Sequence, residues 1–312
     1  MRSGVAAAVA VRPDARMSDR TKGVLAIVAS AFGFALMAAF VRLCDDFGSP
    51  ISTFQKSFFR NLVALALAAA VFCRGRRKDN EGRASPVAGA GAPNRGKVWA
   101  LILLRAALGT AGIFANFYAL SHIPIAEGQT LNKTAPFFTV LFSWLFLSER
   151  ATWKQALALV VAFSGVVLVA KPGFAGEEAF PLAMGLLGGM CAGGAYACVH
   201  KLGLWKVNGA LIIFFFSLFS TVASLPFLCC HYVPMTVAQI AILCGVGAGA
   251  AIGQFGITAA YRFAEPRQIA VFDYTSILFA ALFGAVLFGQ VPDVLSVVGF
   301  ALIVLAAIRM RT

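Results

Sequence analysis

Charge is what this chain has least of. Only 12% of its 312 residues are Asp, Glu, Lys or Arg, while 60% are hydrophobic and the mean hydropathy is +0.84. A soluble domain carries about 25% charged residues, so the balance excludes that class and specifies an integral membrane protein. Other absences narrow the function. No GxxxxGKS or GxxxxGKT loop is present to cradle phosphates, which excludes an ATP-driven pump working from this chain alone. Neither a Ser/His/Asp order nor an HExxH helix presents itself, so no enzyme activity and no cofactor is expected. No filter-like repeat marks a channel pore. His122 and His231 fall in loops without metal spacing. The seven cysteines (Cys44, Cys73, Cys191, Cys198, Cys229, Cys230 and Cys244) are odd in number and fit neither a zinc site nor a disulfide framework. They read as small buried hydrophobes. Residues 1–22 form a basic tail whose Ala/Val run is too interrupted for a secretory signal, with Met17 as an alternative start.

What is present is a series of apolar windows. Ten spans of roughly 20 residues fall near 23–41, 51–73, 98–119, 126–147, 153–170, 181–200, 209–230, 235–260, 268–288 and 292–309. The longest connection, 74–97, is rich in Arg, Gly, Ala and Pro and reads as a disordered loop. With the N-terminus inside, twenty of the 26 basic residues fall on the cytoplasmic side. Only Arg42 and Lys171 fall outside, and Lys56, Arg60, Arg105 and Lys133 lie within spans. This positive-inside asymmetry puts both termini in the cytoplasm and accounts for the net charge of +13 without a nucleic-acid partner. Trp99, Trp153 and Trp205, each near a lysine, fit an aromatic belt on the same face.

Ten spans make two sets of five, and because five is odd the second set enters the membrane from the opposite side. The expected units are a first repeat over 23–172 and a second over 181–310. AEGQTLNKTAPFFTVLFSWLFLSE (126–149) and QIAVFDYTSILFAALFGAVLFGQ (268–290) share an outline at a shift of 141 positions. Under that shift Asn132-Lys133 falls on Asp273-Tyr274, Thr134 on Thr275 and Glu149 on Gln290. FALMAAFVRL in the first span and GAYACVHKL in the sixth both end in a basic residue followed by leucine. Inverted repeats of this kind are the architecture of secondary carriers, whose site lies near the midplane at the repeat interface. Glycines at intervals of four (185, 189, 193 and 245, 249, 253) suit close helix packing, or alternatively cavity lining or a hinge.

The polar residues inside the spans are the candidate site. Lys133, just before Pro136, and Asp273 each sit about seven residues into their spans from opposite faces. On continuous helices this separates them by about 10 Å, too far for an ion pair without tilt or unwinding. That spacing suits a zwitterion held at both ends, a proton exchanged at Asp273, or a structural pair between repeats. Asn132 and Tyr274 hydrogen-bond substrate or bridge helices. Lys56 and Arg60 share one face of span two; snorkelling explains Lys56 and in part Arg60, which is also a substrate-binding candidate, and it is the expectation for Arg105 at the cytoplasmic face. Glu127 sits at the outer mouth of span four. Asn116, Tyr196 and Gln254 are further substrate-binding candidates, and His200 reads as solvated. Four basic groups against two acidic ones within the spans favour a substrate bearing carboxylate or phosphate. Asp273 and Glu127 are the only intramembrane groups read here as able to couple protons.

FQKSFFRNL (54–62), ALSHIPIAEGQTLNKTAPFFTVLFSWLFLSERATWKQ (119–155) and VLVAKPG (167–173) resemble the drug/metabolite transporter superfamily, specifically its EamA-type carriers. The resemblance implies ten helices in two inverted repeats, cytoplasmic termini, and a central cavity lined by spans 1, 3, 4, 6, 8 and 9. It implies a secondary carrier of a small organic metabolite in the cytoplasmic membrane, an amino-acid or metabolite exporter first. S-adenosylmethionine uptake or exchange is the alternative, and a channel is the alternative of a different class.

Overall fold

A computed structural model of the chain describes residues 18–49, 51–79, 94–122, 131–149, 151–170, 179–230, 232–289 and 294–309. The regular structure of these residues is all helix, with no strand among them. We number the helices α1 (Asp19–Leu43), α2 (Thr53–Asp79), α3 (Arg95–His122), α4 (Ala135–Leu147), α5 (Trp153–Ala170), α6 (Ala179–Leu204), α7 (Gly209–Cys230), α8 (Val237–Phe263), α9 (Thr275–Phe288) and α10 (Val294–Arg309). One helix therefore lies in each of the ten expected spans. Helix covers both edges of the 74–97 stretch, since α2 runs on to Asp79 and α3 begins at Arg95.

By length and composition, α1, α3, α6, α7, α8 and the segment Pro266–Phe288 can each cross a membrane. The distribution of side chains is that of a protein in lipid. Ser30, Ala31 and Ala106 are fully buried, whereas Phe146 is 75% and Val286 72% exposed. Small residues face inward and bulky apolar ones outward, which is stable only where hydrocarbon replaces water. Cys44, Cys191 and Cys198 are buried as expected, but Cys73, Cys229, Cys230 and Cys244 lie on the outer surface.

The ends are fixed by capping. Ser18 accepts from the Thr21 N–H at the start of α1, and Thr236 and Gln239 form a reciprocal capping box at the start of α8. Gln239 Nε2 also donates to the Ser49 carbonyl at 3.0 Å, joining this end of α8 to the loop after α1.

Helix pairing follows a simple rule. The α1–α8 and α3–α6 contacts are extensive, and so are α4–α6 and α1–α9, and α2–α8 and α3–α7. Adding five to each helix number of the first half, and subtracting five in the second, converts each of these contacts into its companion, whereas α6–α8 has no comparable counterpart between α1 and α3. The α2–α7 and α5–α10 contacts map onto themselves. Glycine sets the closest approach. A Cβ on Gly33 would strike the backbone of Gly249 and Gly253, so α1 and α8 meet main chain to main chain. Across this seam the Ser30 hydroxyl donates to the Gly253 carbonyl at 2.7 Å. The tight-packing reading of the glycine stripes is therefore the one this structure supports.

Candidate functional site

The site begins where α4 and α9 fail to be continuous. Their 13 and 14 residues span only about 20 Å each, short of a hydrocarbon core about 30 Å thick. Before α4, Leu131 and Asn132 are helical and Lys133–Thr134 is a turn, with Pro136 at the helix start. Before α9, Pro266–Ile269 is one helical turn and Ala270–Tyr274 a buried 3-10 turn. Proline withholds a backbone donor, and the tighter turn rotates side chains out of the α register. The two breaks match at the shift of 141. Thr134 donates to the Leu131 carbonyl at 2.6 Å, and Thr275 donates to the Phe272 carbonyl at 2.7 Å. The helices then end at Ser148 and Gly289, also 141 apart, with φ of 59° and 63°. The first break rests directly on α6: a Cβ at Gly189 or Gly193 would collide with Thr134 or Phe138 and with carbonyls of the turn.

These interruptions bring Lys133 Nζ to 3.5 Å from Asp273 Oδ2. The expected separation of about 10 Å is thus corrected, because unwinding on both sides removes the rise that continuous helices would impose. The contact is longer than the 2.7–2.9 Å of a tight charge-assisted hydrogen bond. Tyr274 is fully buried beside the pair and its hydroxyl has no hydrogen-bond partner. Asn132 lies in the same break and is partly exposed.

The second component is cationic. Arg60 is 6% and Arg105 1% exposed, which overturns the snorkelling expected of both. Arg105 lies eight residues beyond Lys97, about 12 Å along the helix, deeper than its side chain can return from. That depth was the readable signal. Its Nη2 donates to Gln254 Oε1 at 3.1 Å, and its guanidinium lies 3.9 Å from the Phe216 ring centre. Nε and Nη1 have no partner. Arg60 Nε reaches only the Met37 sulfur at 3.1 Å, a weak acceptor, and its Nη1 is unpaired. Among the described residues, neither arginine is paired with a carboxylate. Tyr196 stacks on Tyr261 with centroids 5.4 Å apart, within electrostatic reach of Arg60, Arg105 and Asp273. One polar centre thus draws on α2, α3, α6, α8 and the two breaks. Asn116 is buried at the α3–α6 seam beside Gly188, its Oδ1 unpaired.

A third cluster was missed by sequence reading. His200, expected to be solvated, is 3% exposed. Its Nε2 lies 2.8 Å from Glu149 Oε1 and its Nδ1 2.6 Å from the Tyr261 carbonyl. Placing His200 at a span boundary hid the fact that α4 and α8 end against it. Glu127 and His231 lie outside the described residues.

A separate cavity of about 490 Å³ opens between α3, α4 and α6, lined by residues such as Leu104, Phe146, Met190 and Trp205. Its walls are nearly all apolar, and it does not contain the cationic centre.

Helices broken in pairs around buried, partly unpaired charge define a polytopic membrane protein with a candidate site at its core. Residues 21–171 form an EamA-like transporter family domain, and the chain is a multi-pass membrane protein of the drug/metabolite transporter superfamily. It is 28% identical over 289 residues to the pseudopaline exporter CntI of Pseudomonas aeruginosa (strain UCBPP-PA14), covering 92% of this chain and 95% of that one. The riboflavin transporter of Brucella anthropi is 28% identical over 67% of this chain and 75% of its own length. The S-adenosylmethionine uptake transporter of Rickettsia bellii is 21% identical over 66% and 70%. A solved crystal structure superposes with a TM-score of 0.73 at 17% identity, over 90% of this chain and 95% of that one, which establishes the shared fold.

Proposed function

We propose that this protein is a secondary carrier that exports a small carboxylate-bearing metabolite across the cytoplasmic membrane by alternating access. The observation that carries the reading is the charge balance of the centre. Arg60 and Arg105 are buried and short of partners, while the nearby carboxylate of Asp273 is already engaged by Lys133. Burying an ion is unfavourable by several kcal/mol unless it is paired, so an anionic ligand, or water that a ligand displaces, offsets that penalty. Arginine suits a carboxylate because its planar fork can bind both oxygens. A substrate amino group would take Asp273 and its carboxylate the guanidiniums, with Asn132, Tyr274, Asn116, Tyr196 and Gln254 as neutral donors and acceptors. The long Lys133–Asp273 contact is suited to opening and remaking.

The interchange of helix contacts and the duplicated breaks support two inverted five-helix repeats that rock about this centre. Lys22, Lys201 and Arg262 gather where α8 ends, beside the start of α1. With the positive-inside rule, this supports cytoplasmic termini. Export ranks ahead of S-adenosylmethionine uptake because the exporter relative aligns over nearly the whole chain and the uptake relative over two thirds.

The test is counterflow in proteoliposomes with radiolabelled amino acids, a dicarboxylate, riboflavin and S-adenosylmethionine. The reading requires saturable counterflow of a carboxylate-bearing solute. Non-saturating flux without counterflow would indicate a channel, and transport restricted to cations lacking a carboxylate would refute the anionic site.

A further inference from the structure

The geometry at His200 assigns a proton to the end of the bundle where α4, α6 and α8 finish: we propose that one proton shared by His200 and Glu149 latches these three helices on the cytoplasmic side. The argument is one of donors and acceptors. A backbone carbonyl only accepts, so the 2.6 Å contact to Tyr261 requires the hydrogen on Nδ1. A neutral ring so protonated presents a bare lone pair at Nε2. An ionised Glu149 at 2.8 Å would then oppose one lone pair with another. The contact is bonding only if a proton lies in the gap, as imidazolium with carboxylate or as imidazole with carboxylic acid. The Tyr261 carbonyl belongs to the last turn of α8, whose acceptors lack intrahelical donors and whose dipole favours a cation.

Among the described residues, none stands in for that proton. From α6, Cys198 and Lys201 flank His200, and Lys201 Nζ lies over Trp205. From α8, the Arg262 side chain packs against Gly203. From α3, Arg105 is held by Gln254 and Phe216. In the segment before α9, Arg267 is paired with Glu265 and Asp273 with Lys133. From α5, Lys154 points outward. Glu149 Oε2 has no partner, so the carboxylate is tethered through one oxygen alone. It stands just past Ser148, whose left-handed φ of 59° turns the chain out of α4. When the proton leaves for cytoplasmic water, facing lone pairs remain and α4 is released from α6.

The latching role rests on the carrier reading; the proton itself does not, and both of its tests dispense with substrate. In detergent-solubilised full-length protein, His122→Gln with His231→Gln leaves His200 as the sole histidine. Nitrogen-15 NMR at neutral pH should then show a protonated Nε2. Failing that, infrared spectroscopy should show a protonated carboxyl band that disappears in Glu149→Gln. A bare Nε2 beside an ionised Glu149 would overturn the proposal. The second test uses Glu149→Gln, whose amide can donate to a neutral Nε2 and keep the link without the proton. At a single pH, Glu149→Gln should then melt close to wild type, whereas Glu149→Leu, which offers Nε2 no partner, should melt clearly lower. Equal melting of Glu149→Leu and wild type would refute the latch while leaving the carrier reading intact. Absence of any transport would sink the carrier reading and leave the proton assignment standing.

Discussion

Lys133→Met is the most informative single change. It preserves length and apolar bulk but strands Asp273, 9% exposed at its side chain, without its cation. Removing one member of a buried pair is destabilising by about 3–5 kcal/mol, because the remaining charge stays desolvated. The long 3.5 Å contact and residual exposure place this pair near the lower end, about 3 kcal/mol. Lys133→Met with Asp273→Leu removes both charges and should recover most of that loss, since a buried pair can often be replaced by apolar residues of similar volume at little penalty. The assay is reversible denaturation in mixed micelles across the double-mutant cycle, with counterflow measured on each variant. Stability should drop in each single variant and return in the double, while transport stays lost in all three because substrate contacts are gone. If both single variants were as stable as wild type, the two residues would not be paired as described. If the double variant transported normally, the pair would be structural only.

Three further outcomes follow from the packing. Arg105→Gln and Arg60→Gln should each raise KM for a carboxylate substrate by roughly 10–100-fold, from loss of a charged hydrogen bond of about 1.5–3 kcal/mol, with little change in folding. Measuring KM alongside melting temperature checks both halves of that statement. Gly33→Val should prevent stable assembly, because its side chain would enter the Gly249–Gly253 backbone; the amount of monodisperse protein after extraction reports this. Val222→Arg, on the outward face at the middle of α7, should reduce membrane insertion by about 2.5–3.5 kcal/mol equivalent, whereas the same change in a water-exposed loop would be neutral.

How far the sequence carried depends on which physical quantity was needed. The ten spans follow from hydropathy alone, and each contains a helix. The shift of 141 was legible in Asn132–Thr134 and Asp273–Thr275, and it reappears as matched threonine bonds and matched left-handed ends. The distance between Lys133 and Asp273 was not legible, because a rise per residue can be applied only to unbroken helices, and both helices break there. Pro136 marked the first break; no proline lies in the 3-10 turn at Asp273. Arg105 and His200 were misjudged for a shared reason. A span boundary sets depth, but burial depends on which other helices close over the residue. Gln254, Phe216, Glu149 and Tyr261 all come from elsewhere in the chain.

The central claim is that the buried guanidiniums of Arg60 and Arg105 bind the substrate carboxylate. The direct measurement is competition in the counterflow assay between a transported carboxylate and its primary amide, in wild type and in Arg60→Gln/Arg105→Gln. The amide should compete at least tenfold more weakly than the acid in wild type, and the difference should vanish in the double variant. Equal competition by acid and amide in wild type would contradict the claim.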